Sequence, residues 1–123
     1  MILVDTSIWI DHLRQGSEHL ARLLGRGQVL VHPHVLGEVA LGNLQSRNAV
    51  LGALKDLPRA PLATDDEVFH FIEASAVFGA GIGYTDAHLL AATLLAPGTR
   101  IWTRDRRLLA VATELDLSYP ASH

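Results

Sequence analysis

Short, largely apolar runs alternate with longer segments of helical spacing, and this alternation constrains the fold more than any other feature of the chain. Ile2 to Val4 and Val29 to Val31, wholly apolar, and Ile101 to Thr103 each read as a buried strand too short for a helix. Between them lie stretches with apolar residues at one-face spacing: Leu20, Leu23 and Leu24; Val35, Leu36, Val39 and Ala40; Val50, Leu51, Leu54 and Leu57; Val68, Phe71, Ile72 and Ala76. Strands that alternate with helices imply an α/β fold whose sheet is parallel, joined by right-handed crossovers.

The boundaries are marked by local chemistry. Thr6-Ser7 supplies hydroxyls for a helix ending before Gly16, Ser17 can cap a second helix, and Pro33 suits the start of a third. Thr64-Asp-Asp-Glu67 is a capping box, in which a hydroxyl and a carboxylate three residues apart satisfy the first amides of a helix. Ser46 begins a helix stopped by Pro58 and Pro61, Thr85 can cap a helix running to Ala96, and Asp105 to Leu115 forms the last one. Leu62-Ala63 and Leu117 to Tyr119 are candidate further strands. The 123 residues suit a single domain spanning 1–123 with an ordinary core.

Four acids sit at or near the junctions where strands or loops enter helices. Asp5 closes the first strand, Asp105 follows the strand ending at Thr103, Asp86 opens a late helix, and Glu38 lies about one turn into the third. In an open parallel sheet the strand ends at one edge share a crevice where ligands bind, so acids remote in sequence are expected to face one another. Clustered carboxylates repel, and such a group takes up protons or recruits a hard cation. Acids beside Ser7 and Thr103 oxygens suit Mg²⁺ or Mn²⁺, which prefer oxygen ligands. The chemistry to expect is hydrolysis of a phosphodiester, with one of the acids or a bound water as general base. Ser7 and Thr103 would orient the carboxylates.

Each acid also has a plainer reading. Asp105 and Asp86 could simply cap helices and complement their dipoles. Glu38 is the only charged residue between Val35 and Gln45, and Asp5 ends an apolar strand, which makes surface decoration a poor account of either. The formal net charge of −3 weighs against a polyanionic partner, but Arg100, Arg104, Arg106 and Arg107 crowd one window around Asp105. Arg104, Arg106 and Arg107 are candidates to hold phosphate, or a solvated helix end.

Other chemistries fit less well. A phosphoaspartyl enzyme would want an acid at position 7, where Ser7 stands, and a receiver domain would want a late lysine, whereas Lys55 is the only one. Neither a Gly-x-x-x-x-Gly-Lys phosphate loop nor a Gly-x-Ser-x-Gly elbow occurs. With no cysteine, thiolate zinc sites are excluded, and His32-Pro33-His34 reads as a solvent-facing or capping pair rather than a zinc site. His88 could reach a substrate phosphate, though a place on the helix surface is simpler. Trp9 and Trp102 read as packing residues. No apolar stretch is long enough to span a membrane, and Asp5 precedes any signal-like region, so the cytoplasm is the expected location.

Taken in order, these residues resemble the motifs of the PIN-domain ribonucleases, in particular the VapC toxins of VapBC toxin-antitoxin systems. Val4-Asp5-Thr6-Ser7 with Trp9-Ile10-Asp11 resembles the opening motif, and Pro33 to Gly42, containing Glu38, resembles the second. Gly83-Tyr-Thr-Asp86-Ala-His resembles the third, and Trp102-Thr103-Arg-Asp105 followed by Leu108 resembles the fourth. The resemblance covers residues 1 to about 115. It implies a three-layer α/β/α domain around a five-stranded parallel sheet, a Mg²⁺- or Mn²⁺-dependent endoribonuclease, a homodimer, and a cognate antitoxin protein that covers the site. The alternatives are a PIN-like module that binds RNA or protein without cutting, and a phosphatase-type hydrolase of small esters.

Overall fold

In a computed structural model, which describes residues 1–120, the first strand is the centre of the sheet. Strand β1 (Ile2–Val4) lies between β2 (Val29–Leu30) and β3 (Arg100–Trp102), and both pairings are parallel. The register sets Leu3 opposite Leu30 on one side and Ile101 on the other. A strand with a neighbour on each edge and helices around it has little contact with water, which is why Leu3 and Val4 can be wholly apolar and are fully buried.

Seven helices complete the described residues: α1 (Thr6–Gln15), α2 (Glu18–Gly25), α3 (Pro33–Ala40), α4 (Arg47–Lys55), α5 (Asp65–Ala74), α6 (Tyr84–Leu95) and α7 (Arg106–Glu114). Their starts follow the expected chemistry in most cases. The Ser17 hydroxyl accepts from the Leu20 amide, and Pro33 occupies the first turn of α3. Thr64 and Glu67 form the reciprocal capping box, at 3.1 and 2.9 Å. Thr85 does not cap α6. That helix begins one residue earlier, behind Gly83, and it is the Asp86 carboxylate that turns back to accept the Gly83 amide at 3.3 Å.

Helix α6 is buried from Ala87 through Thr93 and packs against α5 and β3. Helix α3 instead packs against α1 and α4. The core joins the strand residues Leu3, Val4, Ile101 and Trp102 to Val35, Val39, Leu89, Leu90 and Leu108 from the helices. Truncating one such leucine to alanine costs about 2–5 kcal/mol.

The sheet has three strands among the described residues, not the five expected. On each outer edge only an isolated parallel bridge extends it, Val31 with Arg59 and Ile101 with Ser118. The first bridge is confined by proline. Pro58 offers its carbonyl to the Val31 amide and Ala60 donates back to the Val31 carbonyl, but Pro58 and Pro61 have no amide with which to continue a ladder. Leu62-Ala63, a candidate strand in the sequence, lies beyond this stop. On the opposite edge the chain leaves α7 through Asp116 at φ 56° and meets Ile101 over a single residue before Pro120.

Candidate active site

The sheet delivers Asp5 and Asp105 to the same edge, because both follow the carboxyl ends of adjacent parallel strands. Asp5 stands in the N-cap position of α1, yet its side chain makes no capping bond. Its Oδ2 atom accepts from the Thr103 hydroxyl at 2.7 Å and from the Ser7 hydroxyl at 2.9 Å. Thr103 is 1% exposed and Asp5 6% exposed, so this is a buried carboxylate held by two hydroxyls, with no basic side chain paired to it among the described residues. Thr103 also accepts from the Asp105 amide at 3.0 Å, and Ser7 from the Arg104 amide at 3.2 Å. Ser7 and Thr103, expected to orient the carboxylates, both hydrogen-bond Asp5 directly.

Glu38 is exposed on α3, and its Oε1 accepts from the Thr6 hydroxyl at 2.7 Å. The residue after Asp5 therefore tethers an acid from a different helix. Thr6 was legible in the sequence only as a helix-start hydroxyl. Asp86 is half-buried in the first turn of α6. Its carboxyl is raised above the ordinary aspartate value, first by burial and then by the negative charges of Asp5, Asp105 and Glu38, while the Gly83 amide opposes the rise. Asp5, Asp105 and Glu38 therefore each lie within electrostatic reach of Asp86.

Asp105 has the plainer role as well. Its Oδ1 caps α7, accepting from the Arg107 and Leu108 amides at 3.0 Å each. Among the described residues its second oxygen takes no hydrogen bond, and the same is true of Asp5 Oδ1.

None of the four acids forms an ion pair among the described residues. The arginines that could oppose them are placed otherwise. Arg104 is locked to Asp11 by a two-point guanidinium–carboxylate pair. Arg107 lies across Gly81, where a Cβ would stand 2.9 Å from its Cδ atom. Arg106 is exposed on the first turn of α7, and Arg100 pairs with Asp116 and the Ser118 carbonyl. The result is an uncompensated group of carboxylate and hydroxyl oxygens, the donor set that hard divalent cations prefer. As the side chains stand, no three acids or histidines among the described residues are gathered closely enough to chelate an ion by themselves. Solvent oxygens would have to complete a coordination shell, as is usual for Mg²⁺.

Beside the acids lies a group of imidazoles. His88, expected on the helix surface, is 7% exposed, with its Nε2 at 3.2 Å from Asp65 Oδ1. Its ring lies against His34 and takes an edge-on contact from Tyr84, whose hydroxyl donates to Asp65. His32 caps α3 as the sequence allowed, its Nδ1 accepting from the His34 amide at 3.0 Å, but it is buried rather than solvent-facing. That bond leaves the ring proton on Nε2, which has no partner among the described residues, so His32 is not disposed to ligate a metal. Burial, then the proximity of His34 and His88, lowers its pKa to about 4. Trp9 and Trp102 are both core residues, as expected.

The PIN domain family model matches residues 2–114. Ribonuclease VapC32 of Mycobacterium tuberculosis, in strain CDC 1551 / Oshkosh and in strain ATCC 25618 / H37Rv, is 45% identical over 114 residues, covering 93% of this chain and 92% of that protein. The parallel strands, the acids at their carboxyl edge and these two matches agree, and the chain belongs to the PIN domain family, among the VapC-type ribonucleases.

Proposed function

We propose that this chain is a Mg²⁺- or Mn²⁺-dependent endoribonuclease, the toxin of a type II toxin-antitoxin pair, with Asp5, Glu38, Asp86 and Asp105 as the shell of its cation site. The observation that carries the reading is that Asp86 feels the negative charge of Asp5, Asp105 and Glu38, while none of the four acids is ion-paired among the described residues. A bound ion would supply positive charge to the scissile phosphate and acidify the attacking water. The chain's own residues do the rest. Thr103 and Ser7 hold Asp5 in one rotamer, Thr6 holds Glu38, and the Gly83 amide holds Asp86. One of the four acids, or a second bound water, is the candidate acceptor of the attacking water's proton. Arg106 and Arg107 are assigned to the RNA phosphates, and Arg104 joins them only if it exchanges Asp11 for phosphate.

The same reading extends to partners and place. The relatives' name as VapC ribonucleases supports an RNA substrate and a cognate antitoxin protein. A homodimer is supported by an apolar cleft between α5 and α6, lined by Phe71, Ala74, Ala91, Leu94 and Leu95, with both leucines substantially exposed. No helix among the described residues is long and apolar enough to cross a membrane, and a ribonuclease acting on cellular RNA would work in the cytoplasm.

The test is cleavage of mixed RNA by the purified chain with Mg²⁺ or Mn²⁺ and with a chelator. Cleavage that needs the ion and disappears in a folded Asp5→Asn variant is expected. Asp5→Asn that folds and still cuts would remove the assignment. The separation of the acids favours one rival, a PIN-like module that binds RNA or a partner without cutting. RNA binding without ion-dependent cleavage would establish that reading instead.

A further inference from the structure

Glu38 and Asp86 come from helices that do not form a main packing pair. Helix α3 rests on α1 and α4, whereas α6 rests on α5 and β3. The two helices share the core through Val35, Val39, Leu89 and Leu90 without being a main packing pair, so local links between them bear on the separation of these two acids. Thr6 reaches Glu38 from the α1 side, but a link is also needed between α3 and α6 themselves.

One link has the right position. His34 lies on α3 one helical turn before Glu38, on the same face. Thr85 immediately precedes Asp86 on α6. His34 Nδ1 and Thr85 Oγ1 are 3.3 Å apart and hydrogen-bonded. The Thr85 hydroxyl is available for this because Gly83, not Thr85, occupies the cap position of α6. The His34 ring is itself held on two sides. It lies at 4.6 Å and 36° from the His88 ring, and at 5.1 Å and 80° from the buried His32 ring. His88 is fixed in turn by Asp65, which also takes the Tyr84 hydroxyl.

We propose that the His34–Thr85 hydrogen bond is a latch that sets the spacing between Glu38 and Asp86, which makes His34 and Thr85 positioning residues of the cation site. This rests on the reading that the acids hold a divalent ion. A latch explains why this position between the helices carries a clamped imidazole and a hydroxyl where apolar side chains would pack as well. The effect is exerted before RNA binds, so it is measurable on the ion alone.

The experiment is a Mn²⁺ titration of the whole chain without RNA, followed by calorimetry or by the electron paramagnetic resonance of the free ion. Thr85→Val removes the hydroxyl at constant volume, Thr85→Ser keeps it, and His34→Phe keeps a stacked ring without the hydrogen bond. One net hydrogen bond corresponds to a loss of affinity of about 3- to 10-fold. Thr85→Val and His34→Phe should each show it while remaining folded, with thermal midpoints lowered by about 2–6 °C, and Thr85→Ser should bind as wild type does. The double variant should be no weaker than either single one, since both remove the same bond. In cleavage assays the Mn²⁺ concentration for half-maximal rate should rise more than kcat falls. If wild type binds Mn²⁺ and Thr85→Val and His34→Phe bind it equally well, the latch is wrong while the cation site stands. If wild type binds no Mn²⁺, the cation site and the latch fall together.

Discussion

Thr103→Val isolates the contribution of one buried hydroxyl to the site. The substitution is close to isosteric, so it opens no cavity, and it deletes the 2.7 Å donor to Asp5 together with the acceptor of the Asp105 amide. Thr103 is 1% exposed, so water cannot readily replace either partner. A hydrogen bond to a charged group contributes about 1.5–3 kcal/mol, and the orphaned amide adds a smaller cost, for a total of about 2–4 kcal/mol. For 123 residues an unfolding entropy of about 2.1 cal/mol/K per residue makes each kcal/mol worth about 4 °C. The thermal midpoint should therefore fall by about 8–15 °C in differential scanning calorimetry, while Thr103→Ser should recover most of it. Ser7→Ala, which removes the longer and less buried of the two bonds, should cost less. A Thr103→Val midpoint within about 2 °C of wild type would refute the claim that this hydroxyl restrains a buried carboxylate.

Two further outcomes follow from the titrating groups. His32 has a folded pKa near 4 against an ordinary value of 6.5, so the unfolded chain binds the extra proton between those values. Its contribution is fully present above about pH 6.5 and is lost as the pH falls towards 4; urea unfolding across that window should show a slope that His32→Asn, which can still cap α3, flattens. Asp86 has the opposite sign: its folded pKa is raised, so the ionised form costs stability above that pKa. Asp86→Asn should raise the thermal midpoint at neutral pH while abolishing cleavage, and a lowered midpoint would count against the repulsive cluster.

What the sequence disclosed depended on whether the signal was local. The three strands were legible because Ile2–Val4, Val29–Leu30 and Ile101–Trp102 are apolar without a break, and the Thr64–Glu67 box because its two bonds lie within four residues. The expected number of strands failed at the edges, where Pro58 and Pro61 reduce one pairing to a single bridge and Ser118 makes only one other. Asp5 stood out because an aspartate at the end of a buried strand has few structural reasons to be there, whereas Asp105 also caps α7. Their tethers were less so. Thr6 reaches a residue 32 positions away, and Arg104 is claimed by Asp11 across 93. The imidazole group escaped notice for the same reason, since His34 and His88 meet only when α3 and α6 are placed side by side.

The most direct test of the account is a Mn²⁺ titration of wild type beside Asp5→Asn, Glu38→Gln, Asp86→Asn and Asp105→Asn, each verified as folded. The account predicts saturable binding by wild type that every one of the four substitutions weakens, because all four acids serve one site. Variants that retain wild-type affinity and stoichiometry, or a wild type that takes up no ion, would contradict it.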